Sequence, residues 1–281
     1  GYFAFSTNSR GINVPVIASP DLSSWRDRGD ALPVLPAWAE AGNTWSPSAL
    51  ARASGYALYY TVRERRSGRQ AISVALADGP DGPYTDTRDG PLIFQPELGG
   101  SIDPSPFVDD DGQAYLLWKA DSNALGRPAT LWAQPLAADG AALLGAPTKL
   151  LTHDCRWERP LIEAPALVRT DDAYYLFYSG NWWASAGYAI GYAVADEILG
   201  PYRKVTSVRP WFGSDGEVAG PGGQSSSATP PGCCRWLFTD GSRESSAIPR
   251  ALAACGSHRS LWRTCLANRR AQVMGAGGEG G

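Results

Sequence analysis

A strand pattern rich in aromatic residues recurs along the chain and constrains its fold more than any other feature. The clearest copies cover residues 55–61, 113–119 and 173–179, and weaker copies lie near the two ends. The steps between copies are 54, 58, 60 and 61 residues when they are aligned on Ala4, Leu58, Leu116, Leu176 and Leu237. Repeats of this length, each a small antiparallel sheet, are typical of propeller blades. The sequence therefore predicts an all-β, five-bladed β-propeller whose inner strand ends converge on a central pocket.

Turn residues keep the same phase as the strands. The triplet Gly-Pro-Tyr at 82–84 follows one strand pattern and recurs at 200–202. The acidic segment 109–112 and the pair Asp171-Asp172 precede aromatic strands, and they predict hairpin turns. With 32 Gly and 22 Pro, many of them between apolar runs, the chain favours short strands and tight turns over helices.

The two ends depart from the repeat. Gly1 leads directly into a strand pattern and the only Met is Met274, so we expect the first blade to be incomplete. From about Ser225 the alternation weakens; residues 233–281 hold four of the five Cys and are net basic, whereas the rest is net acidic. We expect a propeller domain over 1–224 and an aberrant last-blade and tail region over 225–281 that follows a change of reading frame. An unusual but native basic tail is the alternative.

Composition and motifs exclude several functions. The net charge of -3 predicts no nucleic-acid surface, and no apolar run is long enough to span a bilayer. Only His153 and His258 are present, and the chain lacks a Gly-x-Ser-x-Gly elbow, a phosphate-binding glycine loop and a His-Glu-x-x-His motif. No Cys spacing fits a zinc site or a redox pair, so we expect free thiols and neither metal nor cofactor. Carboxylates remain as candidates for catalysis.

Two carboxylates lie in unusual contexts. Asp103 stands before a proline between apolar residues, and Glu163 lies inside an apolar stretch. Burial raises the pKa of a carboxyl group, which a general acid requires at neutral pH. The alternatives are an ordinary Asp-Pro turn and an exposed or paired structural Glu. Each carboxylate precedes the aligned leucine of its blade by 13 residues, and the same offset gives Trp45. We therefore expect all three at equivalent positions that face one cavity.

These motifs resemble those of glycoside hydrolase family 43. The resemblance covers residues 1 to about 224 and rests on Ser-Ile-Asp-Pro-Ser-Pro-Phe around Asp103 and Glu-Ala-Pro at Glu163. It implies an inverting glycosidase in which Glu163 is the general acid and Asp103 sets the pKa and the orientation of that acid. The family's general base, an Asp near the N-terminus, would precede Gly1. An ionised Asp103 would raise the pKa of Glu163 as a neighbouring like charge.

The resemblance also suggests substrate contacts. The segment at Trp45 matches a Trp-Ala-Pro segment of the family's second blade, and Trp182 and Trp183 offer further flat faces for a sugar. Blade packing is the alternative for these tryptophans. Many members carry a His in a Gly-Pro-Gly-His segment; this chain has Gln224 at the end of Gly-Pro-Gly-Gly-Gln, and we expect it to contact sugar or water.

The implied activity is cleavage of arabinofuranosyl or xylosyl linkages in plant cell-wall polysaccharides or their oligomers. Exo action is the leading interpretation, and an endo-arabinanase is the nearest enzymatic alternative. A propeller that binds carbohydrate without hydrolysing it is the alternative from a different class. A polymeric substrate favours secretion, whereas short oligomers can also be hydrolysed inside a cell.

Overall fold

The structure is a computed structural model that describes residues 1–170, 173–215, 218–228, 233–239 and 250–255, with side chains up to Gln224. Within these residues the chain forms seventeen β-strands, which build five antiparallel sheets, and three short 3-10 helices. Sheets of three or four strands are the size of propeller blades. The predicted all-β, five-bladed propeller is confirmed.

The strands follow chain order within each sheet. The first sheet contains β1 (Tyr2–Phe5), β2 (Pro15–Ser19) and β3 (Arg26–Asp30). The second contains β4 (Ala39–Arg52), β5 (Gly55–Glu64) and β6 (Gln70–Ala77). The third contains β7 (Ser101–Val108), β8 (Ala114–Ala120), β9 (Thr130–Pro135) and β10 (Thr148–Thr152). The fourth contains β11 (Ile162–Arg169), β12 (Tyr174–Gly180), β13 (Ala189–Ala195) and β14 (Arg203–Lys204). The fifth contains β15 (Gly222–Ala228), β16 (Cys233–Thr239) and β17 (Arg250–Cys255). The 3-10 helices cover Pro96–Leu98, Ser122–Leu125 and Arg156–Glu158.

The hydrophobic core lies between neighbouring sheets. In β5, Leu58 and Tyr60 pack toward the first sheet, whereas Ala57 and Tyr59 pack toward the third. Successive side chains of a strand point to opposite faces, so a strand between two sheets must be apolar on both. This explains the unbroken apolar and aromatic runs of the repeat. The inner strands β4, β7, β11 and β15 lie against one another in succession and bring their residues to the centre.

Local turns repeat from blade to blade as the sequence predicts. Gly82 and Gly200 adopt φ values of 86° and 88°, which favour glycine. The hydroxyl of Tyr84 donates to the Pro80 carbonyl and that of Tyr202 donates to the Ile198 carbonyl, four residues earlier in both cases. The predicted hairpin turn at 109–112 is present between β7 and β8. The one predicted at 171–172 lies outside the described residues.

The two ends behave differently. The first sheet starts with β1, which carries the aromatic pattern that the other sheets carry in their second strand. The fifth sheet runs from Gly222 to Cys255 and crosses the boundary expected at residue 224. The expected change of reading frame stays a prediction, since residues 256–281 and His258 lie outside the described residues. No helix in the described part of the chain has the length and apolar character to span a membrane.

Candidate active site

A β-bulge interrupts each of the inner strands β4, β7, β11 and β15 at the same place. The shifts in register fall between Trp45 and Ser48, Ile102 and Ser105, Glu163 and Ala166, and Gly222 and Ser225. Each bulge holds one residue at positive φ: Ser46 at 45°, Asp103 at 57°, Ala164 at 50° and Gly223 at 57°. Non-glycine residues adopt this conformation only where the surroundings enforce it, and such strain is concentrated at functional sites. The bulges therefore mark the centre of the propeller as the candidate site.

The register corrects the predicted equivalence of the two carboxylates by one residue. Glu163 precedes its bulge and corresponds to Ile102 and Trp45, whereas Asp103 lies within its bulge and corresponds to Ala164. The reason lies in the hairpins. Five residues separate the paired Val108 and Ala114, but only four separate Arg169 and Tyr174. A count back from the aligned leucines cannot detect this difference.

A hydroxyl group from the preceding blade holds each of three bulges. The backbone N–H of Asp103 donates to Thr61 Oγ1 at 3.1 Å, and that of Gly223 donates to Ser179 Oγ at 3.1 Å. The N–H of Ser46 donates to Thr7 Oγ1 at 3.3 Å. Thr61 and Ser179 are the last residues of clear aromatic repeats, and Thr7 ends the weaker copy at residues 1–7. The blades are thus joined around the centre by a recurring hydrogen bond.

The bulge of β11 is held differently. The equivalent residue of the preceding blade is Lys119, whose ammonium group has no acceptor atom. The N–H of Ala164 donates instead to Asp103 Oδ2 at 2.9 Å. Lys119 Nζ lies 3.0 Å from Glu163 Oε2 and 3.1 Å from Asp121 Oδ1. The replacement of a hydroxyl by an ammonium group therefore brings both carboxylates and a cation to one bulge.

Both carboxylate oxygens of Glu163 have hydrogen-bond donors. Lys119 donates to Oε2, and the hydroxyl of Tyr188 donates to Oε1 at 2.8 Å. Glu163 and Tyr188 are buried, and Lys119 is 1% exposed. A buried carboxylate without partners would be strongly unfavourable, so this pair of donors is what allows Glu163 to lie there.

Asp103 is the carboxyl group with the clearest electrostatic perturbation. Its burial, and next the nearby charge of Glu163, raise the pKa of Asp103 to about 6. Lys119, the Ser46 side chain and the N–H of Ala164 act in the opposite direction. Glu163 thus lies close enough to Asp103 to influence its charge.

Gln224 is buried and holds the same bulge from the other side. Its Nε2 donates to the Ala164 carbonyl at 2.6 Å, and its Oε1 accepts from Ser179 Oγ at 2.8 Å. Both polar ends of the side chain are therefore engaged by the protein. A contact with sugar or water through the second amide hydrogen stays a prediction.

The candidate tryptophans occupy two settings. Trp45 is half-buried and precedes the bulge of β4. Trp182 and Trp183 lie in the loop after β12, are 46% and 61% exposed, and have ring centroids 5.9 Å apart. Hydrogen bonds from Ser185 to the Trp182 carbonyl, and from the Trp182 N–H to Asn181, hold the loop. Exposed rings on a loop held in this way are available to a ligand.

A second polar cluster lies in the fourth blade, away from the two carboxylates. Lys204 Nζ is 2.5 Å from Asp154 Oδ1 and 2.8 Å from Glu158 Oε2. A cavity of about 490 Å³ beside it is lined by Leu150, Leu151, Thr152, Asp154, Cys155, Tyr202, Lys204 and Ser207. The ammonium group bridges these two carboxylates, and Glu158 also accepts from the buried Tyr178 hydroxyl. This cluster is therefore satisfied by ion pairs and hydrogen bonds within the protein.

Sequence reasoning missed four residues of the site: Thr61, Lys119, Ser179 and Tyr188. The first three carried a signal, because each is the polar residue that directly ends an apolar and aromatic run. Their near-complete burial shows why such a residue is informative, since a buried polar group requires a partner. Tyr188 carried no comparable signal, because it lies in a loop outside the repeat.

Comparison with known proteins identifies the family. The model of glycosyl hydrolases family 43 matches residues 1–262. An arabinoxylan arabinofuranohydrolase of Bacillus subtilis (strain 168) is 29% identical over 211 residues, which are 66% of this chain and 40% of that protein. An extracellular exo-α-(1→5)-L-arabinofuranosidase of Cellvibrio japonicus is 27% identical over 230 residues, which are 73% of this chain and 63% of that protein. The chain thus spans about half the length of these two relatives.

Solved structures agree on the fold. The crystal structure of a thermostable family-43 glycoside hydrolase has a TM-score of 0.75 and 24% identity, with 89% of this chain and 83% of that chain covered. The family model covers nearly the whole chain, including both carboxylate motifs. On this match, and on a propeller fold shared with solved members, the chain belongs to glycoside hydrolase family 43.

Proposed function

We propose that the chain is the catalytic propeller of a glycoside hydrolase that cleaves arabinofuranosyl or xylosyl linkages of plant cell-wall polysaccharides with inversion. Glu163 is the general acid and Asp103 is the residue that tunes it. We assign no general base among residues 1–281. The names of the relatives, an arabinoxylan arabinofuranohydrolase and an exo-arabinofuranosidase, support this class of substrate.

The observation that carries the proposal is the pair of neighbouring carboxyl groups, Asp103 and Glu163, at the bulge of β11. An inverting glycosidase needs one carboxyl group that can deliver a proton to the leaving oxygen. Glu163 is buried and oriented by two donors, and Asp103 beside it has a pKa raised to about 6. Lys119 also forms an ion pair with Asp121, so its positive charge is divided between Asp121 and Glu163.

Aromatic side chains supply the remaining part of a sugar site. We assign Trp45 to the inner wall, because it occupies the same place in β4 that Glu163 occupies in β11. Trp182 and Trp183 are assigned to the rim, where their exposed faces can stack on further sugar units. Gln224 is assigned a contact through its second amide hydrogen.

The test is Glu163→Gln in the full-length protein, assayed on two classes of substrate. We expect a loss of roughly 10²–10⁴-fold on pentosides with poor leaving groups, because these require protonation. Aryl pentosides with good leaving groups should lose much less. Asp81→Asn, a change of a half-buried carboxylate bound to Arg28 and outside the inner strands, is the control and should leave both rates unchanged.

Equal losses on the two substrates would contradict the role of Glu163 as the acid. Binding of arabino- or xylo-oligosaccharides without turnover by the full-length protein would favour a carbohydrate-binding propeller instead.

A further inference from the structure

We propose that Tyr188 is a positioning residue for Glu163 and that its hydroxyl reverses the direction of its hydrogen bond when Glu163 gains a proton. Ser179 is the alternate acceptor. The inference rests on the proposed function, in which Glu163 must exist in both protonation states. Neither Tyr188 nor Ser179 belongs to the sequence motifs that identify the family.

The partners of ionised Glu163 determine where its proton can reside. Lys119 has only donor hydrogens, so Glu163 Oε2 must remain an acceptor in both protonation states. The proton therefore resides on Oε1, which faces the hydroxyl of Tyr188. Two hydrogens cannot occupy the space between the two oxygens. When Glu163 carries this proton, Tyr188 must accept from Glu163, and the hydrogen of Tyr188 must turn to another acceptor.

Ser179 provides that acceptor. Ser179 lies opposite Glu163 in the register of β11 and β12, which places it beside the carboxyl group that Tyr188 contacts. Burial raises the pKa of Tyr188, and the nearby Ser179 hydroxyl opposes this rise. A serine oxygen offers one hydrogen and two lone pairs. Ser179 Oγ donates to Gln224 Oε1 and accepts from the N–H of Gly223, so one lone pair remains for Tyr188. The network is therefore satisfied in either state of Glu163, and no buried hydroxyl loses its partner.

Close packing of the Tyr188 ring restricts the position of its hydroxyl next to Glu163. Its ring occupies the space that a side chain at residue 222 would fill, because a Cβ on Gly222 would overlap the ring. Gly222 corresponds to Glu163 in the register of the bulges. The ring thus lies between β15 and Glu163, and both neighbours restrict it. The charged groups near its hydroxyl are Glu163 and Asp103, with Lys119 and Asp121 beyond them.

Glu163→Gln offers a test that needs no turnover. The amide oxygen of the glutamine must face Lys119, so its NH₂ group donates to Tyr188 and fixes the reversed arrangement. Ser179 then becomes the acceptor on which Tyr188 depends. We expect Glu163→Gln combined with Ser179→Ala to lower Tm by roughly 2–4 °C beyond the sum of the single changes, since a buried hydroxyl loses its partner.

The same cycle in a Tyr188→Phe background is the control. The extra loss should vanish there, because no hydroxyl remains to be satisfied. Additive single changes, or an extra loss that persists in Tyr188→Phe, would overturn the proposal. Neither result depends on whether the protein hydrolyses a glycoside.

Kinetics of the full-length protein separate positioning from a general structural effect. Tyr178→Phe is the matched control, since Tyr178 is also buried in the fourth blade and donates to a carboxylate, Glu158 Oε1, at 2.7 Å. Tyr188→Phe should lower kcat about 10-fold more on poor than on good leaving groups, with KM little changed. Tyr178→Phe should leave the ratio of kcat on poor leaving groups to kcat on good leaving groups unchanged. An unchanged ratio in Tyr188→Phe as well would refute the positioning role. Absence of hydrolysis in every variant would instead refute the proposed function and leave the stability cycle to decide on Tyr188.

Discussion

The bulges of β7 and β11 share one backbone geometry but have different partners. In β7, the N–H of Asp103 is accepted by the hydroxyl of Thr61. In β11, the N–H of Ala164 is accepted by the carboxylate of Asp103, and the position of the hydroxyl is taken by Lys119. The first arrangement recurs at Ser46 and Gly223, so it is the common way in which this propeller joins its blades.

The difference shows how a repeated scaffold can produce one asymmetric site. An ammonium group cannot accept a hydrogen bond, so Lys119 leaves the bulge of β11 without its usual acceptor. Asp103 fills that role, and the freed Lys119 partners Glu163. One substitution within a repeat thus gathers two carboxyl groups and a cation in a buried place. The predictions below test this comparison.

Among the changes that test this comparison, Lys119→Thr should have the largest effect, because it restores the common arrangement at β11. The threonine hydroxyl can accept from Ala164, whereas Glu163 loses its cation and Asp103 loses its bond. We expect hydrolysis by the full-length protein to fall roughly 10²-fold, since a small misplacement of a catalytic group has that effect. Lys149→Thr, the same change at an exposed position of β10, should have no effect. Normal turnover by Lys119→Thr would show that the asymmetry is not functional.

A substitution in the fifth blade tests whether the Tyr188 ring packs closely against β15. Gly222→Ala should lower the free energy of unfolding by about 1–3 kcal/mol, because the new methyl group overlaps the Tyr188 ring. Gly213→Ala is the matched control, since a Cβ there would meet only ordinary contacts at 3.7 Å. Denaturant unfolding measures both. Similar stabilities would contradict the close packing of Tyr188 against β15.

The hydrogen bond from a bulge N–H to a hydroxyl of the preceding blade can be tested at β7. Thr61→Val keeps the shape of the side chain but leaves the buried N–H of Asp103 without its acceptor, and we expect a loss of about 1–2 kcal/mol in stability. Thr61→Ser retains the hydroxyl and should recover most of it. If the valine and serine variants are equally stable, the hydrogen bond has no role in holding the bulge.

The raised pKa of Asp103 predicts a small dependence of stability on pH. Between its ordinary value of 3.8 and about 6, the folded state binds more protons at this group than the unfolded state. The stabilisation is therefore complete at low pH and is lost as pH rises through about 6. Asp103→Asn keeps an oxygen for the N–H of Ala164 and should remove this dependence. Thermal unfolding of both proteins across that range checks the sign, and identical profiles would contradict it.

Much of the fold could be predicted from the sequence, because the aromatic repeat requires strands that are buried on both faces. Asp103 and Glu163 could also be predicted as site residues, because each carboxyl group lies in an apolar motif. Their relative register was not, because it depends on one extra hairpin residue after Val108.

Two further features required the structure. Lys119 is adjacent to an apolar run in the sequence, but its role depends on a contact between blades that no local pattern specifies. Tyr188 contacts Glu163 from a loop, and its ring lies against Gly222 of the next blade. Interactions between separate repeats are what the sequence pattern leaves undetermined.

The central claim is that Asp103, Glu163 and Lys119 form one electrostatic unit at the bulge of β11. The most direct measurement is a ¹³C NMR titration of the Asp103 carboxyl group in the wild type, Glu163→Gln and Lys119→Met. We predict a midpoint near pH 6 in the wild type. The pKa of Asp103 should fall in Glu163→Gln, where a like charge is removed, and rise in Lys119→Met, where a cation is removed. A midpoint that neither substitution moves would contradict the account.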